Sequence, residues 1–187
     1  FCELVMPEDR SLYHNRKSQV RSRGPAFEVT VRFICQSGKT MNVLIAETEL
    51  GSAGDGETGS LSVMTDVTEL KQSEIRNYQQ AISDHLTGLL NRQGFEAALE
   101  QKIIEADRNG TDIACLFVDL DRFKSINDNL GHAAGDLVLG QFVERMLPLL
   151  GDHDAASRLG GDEFAILLCG EGSERRGTEL CQRIVEF

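Results

Sequence analysis

The sequence predicts an α+β fold of layered α/β character: a mixed sheet flanked by helices, preceded by part of an antiparallel sheet. Three observations predict it. Residues 26–35 alternate apolar and polar side chains, as a half-buried strand does. Residues 113–118 (Ile-Ala-Cys-Leu-Phe-Val) are a continuous apolar run between helical patterns, as in a strand buried on both faces. Residues 155–168 set Gly160, Gly161, Asp162 and Glu163 between two apolar runs, as a hairpin with an acidic tip does. Helices alternating with such strands build a layered domain.

In chain order, residues 1–66 read as helical turns and then three antiparallel strands. These are 26–35, then 40–48 after a turn at Ser37-Gly38-Lys39, then 60–66 after a glycine-rich loop over 51–59. Residues 67–83 read as a connector helix. Asp66 with Glu69 three residues on resembles a capping box. Val67, Leu70, Ile75, Tyr78 and Ile82 make a narrow apolar stripe on an otherwise polar helix. The stripe either pairs with a second copy of itself or packs on its own domain. Residues 84–187 change character. A helix over 92–107 carries Phe95, Leu99, Ile103 and Ala106 on one face, and a short helix over 122–130 stops at Gly131. A longer one over 136–150 turns Leu137, Val138, Phe142, Val143, Met146 and Leu147 inward, and Pro148 bends its last turn. A final helix begins near Ser173.

The chain has 187 residues, room for one ordinary domain or two small ones, and 41% hydrophobic residues, enough for a core. Net charge is −11. Residues 1–80 carry 9 basic and 11 acidic groups, and 81–187 carry 10 and 19, so the second part alone holds −9. That surface repels nucleic-acid backbone and anionic lipid, so no nucleic-acid polymer is expected as partner. An anionic substrate would need a metal ion or local basic residues. The five cysteines (Cys2, Cys35, Cys115, Cys169, Cys181) contain no Cys-x-x-Cys pair. Cys115 and Cys169 lie in apolar runs and are expected as buried free thiols. A reducing cytoplasmic compartment fits them. No apolar run reaches the length of a membrane span, and no signal segment opens the chain. It opens at Phe1 and stops at Phe187 within a helical pattern, so it is expected to be a fragment of a longer protein, whose membrane attachment stays open.

Candidate chemistry gathers at two acidic edges. Asp119 and Asp121 end the apolar run 113–118, at the carboxyl end of a strand, where ligands sit in open sheets. Asp119 is the better ligand. Asp121 either orients a neighbour or caps the following helix. Asp162 and Glu163 form the second edge, and adjacent carboxylates hold hard divalent cations. Asn127 and Asp136 flank the Gly131-His132 turn. An amide and a carboxylate can read the edge of guanine, although an exposed helical Asn and an N-cap Asp are the plainer roles. Lys124 either meets a phosphate or solvates a helix face. His132 has no second His or Cys at ligand spacing. There is no P-loop and no Gly-x-Ser-x-Gly elbow. Two acidic edges with guanine-suitable groups between them favour metal-assisted phosphoryl or nucleotidyl transfer, and leave a structural calcium site or a plain acidic loop open.

Four segments in order then carry a resemblance. They are residues 84–92 (Asp-His-Leu-Thr-Gly-Leu-Leu-Asn-Arg), 119–128 (Asp-Leu-Asp-Arg-Phe-Lys-Ser-Ile-Asn-Asp), 131–136 (Gly-His-Ala-Ala-Gly-Asp) and 158–164 (Arg-Leu-Gly-Gly-Asp-Glu-Phe). Together they resemble the GGDEF domain of diguanylate cyclases. The resemblance implies a nucleotide-cyclase, palm-like fold and the condensation of two GTP into cyclic di-GMP across a dimer of facing domains joined through the connector helix. It implies that Asp119, the carbonyl of Leu120 and Asp162 hold Mg²⁺ or Mn²⁺, with Asp162 and Glu163 as the signature acids. Glu163 then assists metal binding or activates the 3′ hydroxyl. Asn127 and Asp136 would read guanine, with His132 in the same base-binding turn. Lys124 would help with phosphates, and Gly160 and Gly161 would leave room for nucleotide.

Residues 1–66 resemble, more loosely, the C-terminal part of a PAS sensory domain. The carriers are Met6-Pro7-Glu8-Asp9-Arg10, the Ser37-Gly38-Lys39 turn, and Asp66-Val67-Thr68-Glu69 leading into a signalling helix. Any PAS ligand is out of reach of this sequence. Two departures matter. Product-inhibited cyclases carry Arg-x-x-Asp before the hairpin, and here Gly151-Asp152-His153-Asp154 keeps the Asp and lacks the Arg, so no strong inhibitory site is expected. Family members also continue past 187 with another strand, a helix and basic residues. A catalytically silent GTP-binding module that regulates a downstream domain such as a phosphodiesterase, and a pure PAS dimerisation unit, are the competing readings.

Overall fold

The computed structural model describes residues 4–23, 26–35, 37–50 and 59–187. The expected glycine-rich loop lies, up to residue 58, outside the described residues. The chain divides into two compact units, Phe1–Arg76 and Asn77–Phe187.

The first unit holds α1 (Pro7–Arg23), β1 (Ala26–Ile34), β2 (Thr40–Leu50) and β3 (Gly59–Asp66). The strands pair antiparallel in the order β1-β2-β3. Alternation in the sequence puts Val29, Val31, Val43 and Ile45 on one face, where they bury against Val5 and Tyr13. Gly38 turns the chain with φ 79°, which suits a residue without Cβ. Glu47 is buried on that face, and its charge is met by Lys17 Nζ at 3.0 Å.

α2 (Thr68–Ile82) follows, and its start matches the Asp66 signal: the Thr68 N–H donates to Asp66 Oδ1 at 2.9 Å. The helix buries none of its residues. Leu70, Ile75 and Tyr78 are each more than half exposed among the described residues, and Val67 and Ile82 at the ends of the stripe are half-buried.

The second unit contains α3 (Arg92–Asn109), β4 (Ile113–Asp119), α4 (Phe123–Leu130), α5 (His132–Met146), β5 (Ala155–Gly160), β6 (Glu163–Cys169) and α6 (Ser173–Val185). The sheet order is β4-β6-β5, with both pairs antiparallel. One parallel bridge, Leu90 to Ser157, closes the outer edge of β5. β6 is the central strand, and Phe164 to Leu168 are at most 1% exposed. One face of the sheet packs Leu116, Phe164, Ile166 and Leu168 against Leu139, Phe142, Val143 and Met146 of α5 and Leu180 of α6. The other packs Ala165 and Leu167 against Phe95 of α3. Burial of this kind contributes about 25 cal/mol per Å² of apolar surface.

Several expectations are corrected. Among the described residues β4 pairs with a strand on one side only and is not buried on both faces: Phe117 is 72% exposed and Cys115 is exposed. α3 covers mainly β5 and β6, so the second face of β4 is left open. Cys169 is only partly buried. α5 starts at His132, four residues early, so Asp136 is not its N-cap. Leu139, Phe142, Val143 and Met146 share one face at helical spacing, and that face leaves Leu137 at 69% exposure. Leu147 belongs to a 3₁₀ turn (Leu147–Leu149) that Pro148 allows, and it is half exposed. Ile103 is also half exposed.

Ser173, the first residue of α6, is fully buried, and its hydroxyl has no hydrogen-bond partner among the described residues. A buried unpaired hydroxyl costs about 1–3 kcal/mol. Ser173→Ala removes it and improves helix propensity, so urea unfolding should show a stability gain of about 1 kcal/mol. A loss would reveal a partner for that hydroxyl.

Candidate functional site

The site grows from the register of two strands. Asp119 ends β4 and Glu163 begins β6, and the two are direct cross-strand partners. Directly opposed residues project to the same side of a sheet, so two carboxylates face one cleft. Beyond the last pair the chains stay tied, because the Leu120 N–H donates to the Asp162 carbonyl at 3.3 Å. The cleft is shallow, of about 350 Å³, and Asp119, Glu163 and Arg92 are its charged lining. Phe117, Leu159 and Phe164 form its apolar wall.

The hairpin tip between β5 and β6 is made by Gly160 (φ 153°) and Gly161 (φ 54°). A Cβ at either would meet nothing within 4 Å. Positive φ at both positions favours glycine, and the open space leaves main chain accessible to a ligand. The tip is braced by Arg158, whose Nε and Nη2 donate to the Gly161 carbonyl at 2.9 and 2.7 Å. Arg158 Nη1 reaches Asp84 Oδ1 at 3.3 Å. Asp84 also accepts from the Thr87 N–H and hydroxyl at 2.9 and 2.6 Å. Burial works against the ionised form of Asp84, but the Thr87 hydrogen bonds and the Arg158 charge outweigh it and hold the carboxyl below its ordinary value.

Between β4 and α4 the chain turns at Arg122, the one non-glycine with positive φ (61°) among the described residues. Such a conformation costs about 1 kcal/mol or more and tends to mark functional turns. Arg122, not Asp121, occupies the N-cap position, with no side-chain cap bond, so Asp121 does not take the capping role. Asn127 on α4 lies against α5. A Cβ built on Gly135 would fall 2.1 Å from Asn127 Oδ1, so glycine at 135 is what admits the amide. Asp136 follows Gly135 directly and is exposed. Asn127 and Asp136 are thereby brought to one helix–helix junction. Lys124 and His132 are exposed in the first turns of α4 and α5.

Among the described residues no three His, Cys, Asp or Glu side chains form a ready metal cluster. The donors at the tip are two facing carboxylates with main-chain oxygens beside them. That is a hard, incomplete set of the kind that holds a small divalent cation together with water and substrate phosphate.

Sequence motifs named Asp84, Arg92, Gly135 and Arg158 without giving them a task, because their contacts bring together positions up to 74 residues apart. Asp154 is another case. Its side chain is 1% exposed, ion-paired with Arg176, and accepts from the Gly151 N–H at 2.7 Å and the Cys169 N–H at 3.0 Å. It is a structural acid turned into the fold.

Comparison with known proteins places this geometry. A family model described as "Diguanylate cyclase, GGDEF domain" matches residues 81–186. The chain is 39% identical over 165 residues to a probable diguanylate cyclase, DgcE, of Escherichia coli K12, covering 88% of this chain and 15% of that protein. A solved form of TpbB (YfiN) from Pseudomonas aeruginosa PAO1, comprising only the GGDEF domain, aligns with TM-score 0.53 and 43% identity, over 56% of this chain and 60% of that one. The solved coiled coil and GGDEF domain of DgcB from Caulobacter crescentus, in complex with c-di-GMP, aligns with TM-score 0.58 and 30% identity, over 63% of this chain and 61% of that one. The chain thus spans only a small part of the length of its curated E. coli relative. No described helix is long and apolar enough to cross a membrane.

The Asp84 brace carries a pH signature. Its carboxyl is held lower in the fold than in the unfolded chain, so folding favours the ionised form. The stabilisation is full above the unfolded value of about 3.9 and is lost as pH falls through the lower folded value. Asp84→Asn should cost about 1–2 kcal/mol at neutral pH, and the gap to wild type should narrow as pH falls below the ordinary carboxylate value of about 3.9. Melting curves across pH 2.5–7 check this. A gap that stays constant would mean that the charge on Asp84 is not what matters.

Proposed function

The chain belongs to the GGDEF-domain family of diguanylate cyclases, and we propose on that premise that it is the cyclase module of a sensor-regulated enzyme that condenses two GTP into cyclic di-GMP with release of two pyrophosphates. The observation that carries this reading is the register that sets Asp119 opposite Glu163 beside an open glycine tip. Asp119, the Leu120 carbonyl and Asp162 are assigned to hold Mg²⁺ or Mn²⁺. The cation, when bound, polarises the α-phosphate and offsets charge on the transferring group, which is worth several kcal/mol in such reactions.

The remaining work falls to the chain. Asp136 would accept from the ring N–H and amino group of guanine, and the Asn127 amide would complete the edge. Lys124 would neutralise phosphate, and His132 would flank the base at the start of α5. In each of two condensations a 3′ oxygen of one nucleotide bonds to the α-phosphorus of the other. The α–β phosphoanhydride breaks and pyrophosphate leaves. Glu163 either takes the 3′ proton or adds a metal ligand.

One chain offers one such cleft and the reaction needs two nucleotides face to face, so the active form is a homodimer. The exposed Leu70, Ile75 and Tyr78 stripe of α2 supports pairing of two helices. Residues 1–66 would supply the sensory part, as the end of a PAS domain. Because Asp154 is already saturated by Arg176 and two backbone donors, product is expected to restrain this domain weakly.

Full-length protein with GTP and Mg²⁺, its products separated by chromatography, is the direct test. Asp162→Asn should lower turnover on the order of 10²–10³-fold while leaving circular dichroism unchanged. Full rate in that variant would remove Asp162 from the metal site. A folded, dimeric full-length protein that makes no cyclic di-GMP would sink the enzyme reading.

A further inference from the structure

Arg92 is the one cationic residue lining the acidic cleft, and it stands 3.9 Å from Glu163 Oε2 through its Nη2. Its location is electrostatically unusual. It is the first residue of α3, where the positive end of the helix dipole disfavours a cation. Helix stability therefore does not explain it. Its mounting is firm. Asn91 caps α3 by accepting from the Gly94 N–H at 3.0 Å. The Asn91 amide donates to the Ala81 carbonyl at 2.7 Å and to the Ser83 carbonyl at 3.3 Å, and its backbone N–H bonds to the Ile82 carbonyl at 2.8 Å. Gly94 makes this junction possible, because a Cβ there would fall 2.3 Å from the Ile82 carbonyl oxygen. Arg92 thus projects toward Glu163 from a joint that fastens the end of α2 to the start of α3.

We propose that Arg92 is a positioning residue that acts as the resident counter-ion of Glu163, so that a divalent cation entering beside Asp119 must share Glu163 with it. This rests on the reading of the cleft as a divalent-cation site. The Arg92 guanidinium offsets the Glu163 charge and holds that carboxylate toward α3, so a cation at Asp119 gains less from Glu163 than it would from an unpaired acid. Removing that charge should tighten cation binding, and the effect should run through Glu163.

The test is Mn²⁺ binding to the chain at low ionic strength, followed by electron paramagnetic resonance, with Arg92→Gln, Arg92→Lys, Glu163→Gln and the double variant. Arg92→Gln should bind Mn²⁺ about three- to tenfold more tightly. Arg92→Lys should stay near wild type, because it keeps the charge. In the Glu163→Gln background, Arg92→Gln should change little. These shifts are expected with an unchanged or higher unfolding midpoint, which a purely structural arginine would not give. Mn²⁺ binding that ignores Arg92, or an Arg92→Gln effect that persists without Glu163, would overturn the proposal alone. No Mn²⁺ bound by any variant would overturn the cation reading of the cleft as well.

Discussion

The guanidinium of Arg158 is the contact on which the rest of the site depends. It bonds twice to the Gly161 carbonyl at the hairpin tip and reaches both carboxylate oxygens of Asp84, at the turn after α2. The two glycines that open the tip also leave it without side chains to pack, so its position must be fixed by hydrogen bonds. Arg158 does this from within the hairpin. Leu90 locks the same edge through main-chain bonds, its N–H to Ala156 and its carbonyl from the Arg158 N–H. The tip is thus accessible and held at once, as charged groups that must sit within fractions of an ångström of a reacting phosphate require.

The hairpin, its acids and the helices around it were legible in the sequence because each carries a local signal. Period-two alternation marked β1, the Gly-Gly pair marked the tip, and Asp66 marked the start of α2. What was not legible depends on partners. The run 113–118 is uniformly apolar, yet Cys115 and Phe117 are exposed, because among the described residues β4 pairs on one side only and α3 lies mainly over the other two strands. Composition cannot tell an edge from a centre. The early start of α5 escaped notice for a related reason. Gly131 ends α4 and begins α5 directly, with φ 84°, so no loop separates the helices.

Of the four carboxylate–arginine pairs among the described residues of the second unit, three join separate elements, and burial sets what each of these does. Asp154 is enclosed and Arg176 is only one-third exposed. Breaking a buried pair of this kind typically costs about 3–5 kcal/mol, because an uncompensated charge is left inside. That pair holds β5, β6 and α6 together. Asp84 and Arg158 are partly exposed and position the tip. Glu163 and Arg92 are both about 60% exposed, where an ion pair is worth about 0–1 kcal/mol. A pair so weak contributes little to the fold and is readily exchanged for another cation. The gradient runs from structural to functional as exposure rises.

The same gradient decides how far the Arg-x-x-Asp resemblance can be carried. An aspartate kept at that position looks like half of a ligand site. Here its carboxylate oxygens are already occupied: Oδ2 by the Gly151 N–H and Arg176, and Oδ1 by the Cys169 N–H. A ligand at this corner would have to displace bonds that close the end of the sheet, and the loop offers it no arginine in exchange. A Cβ on Gly151 would stand 3.3 Å from Asp154 Oδ2 and 3.5 Å from Arg176 Nη2, so even a larger residue here would crowd the pair. Position 154 keeps its acid for the fold.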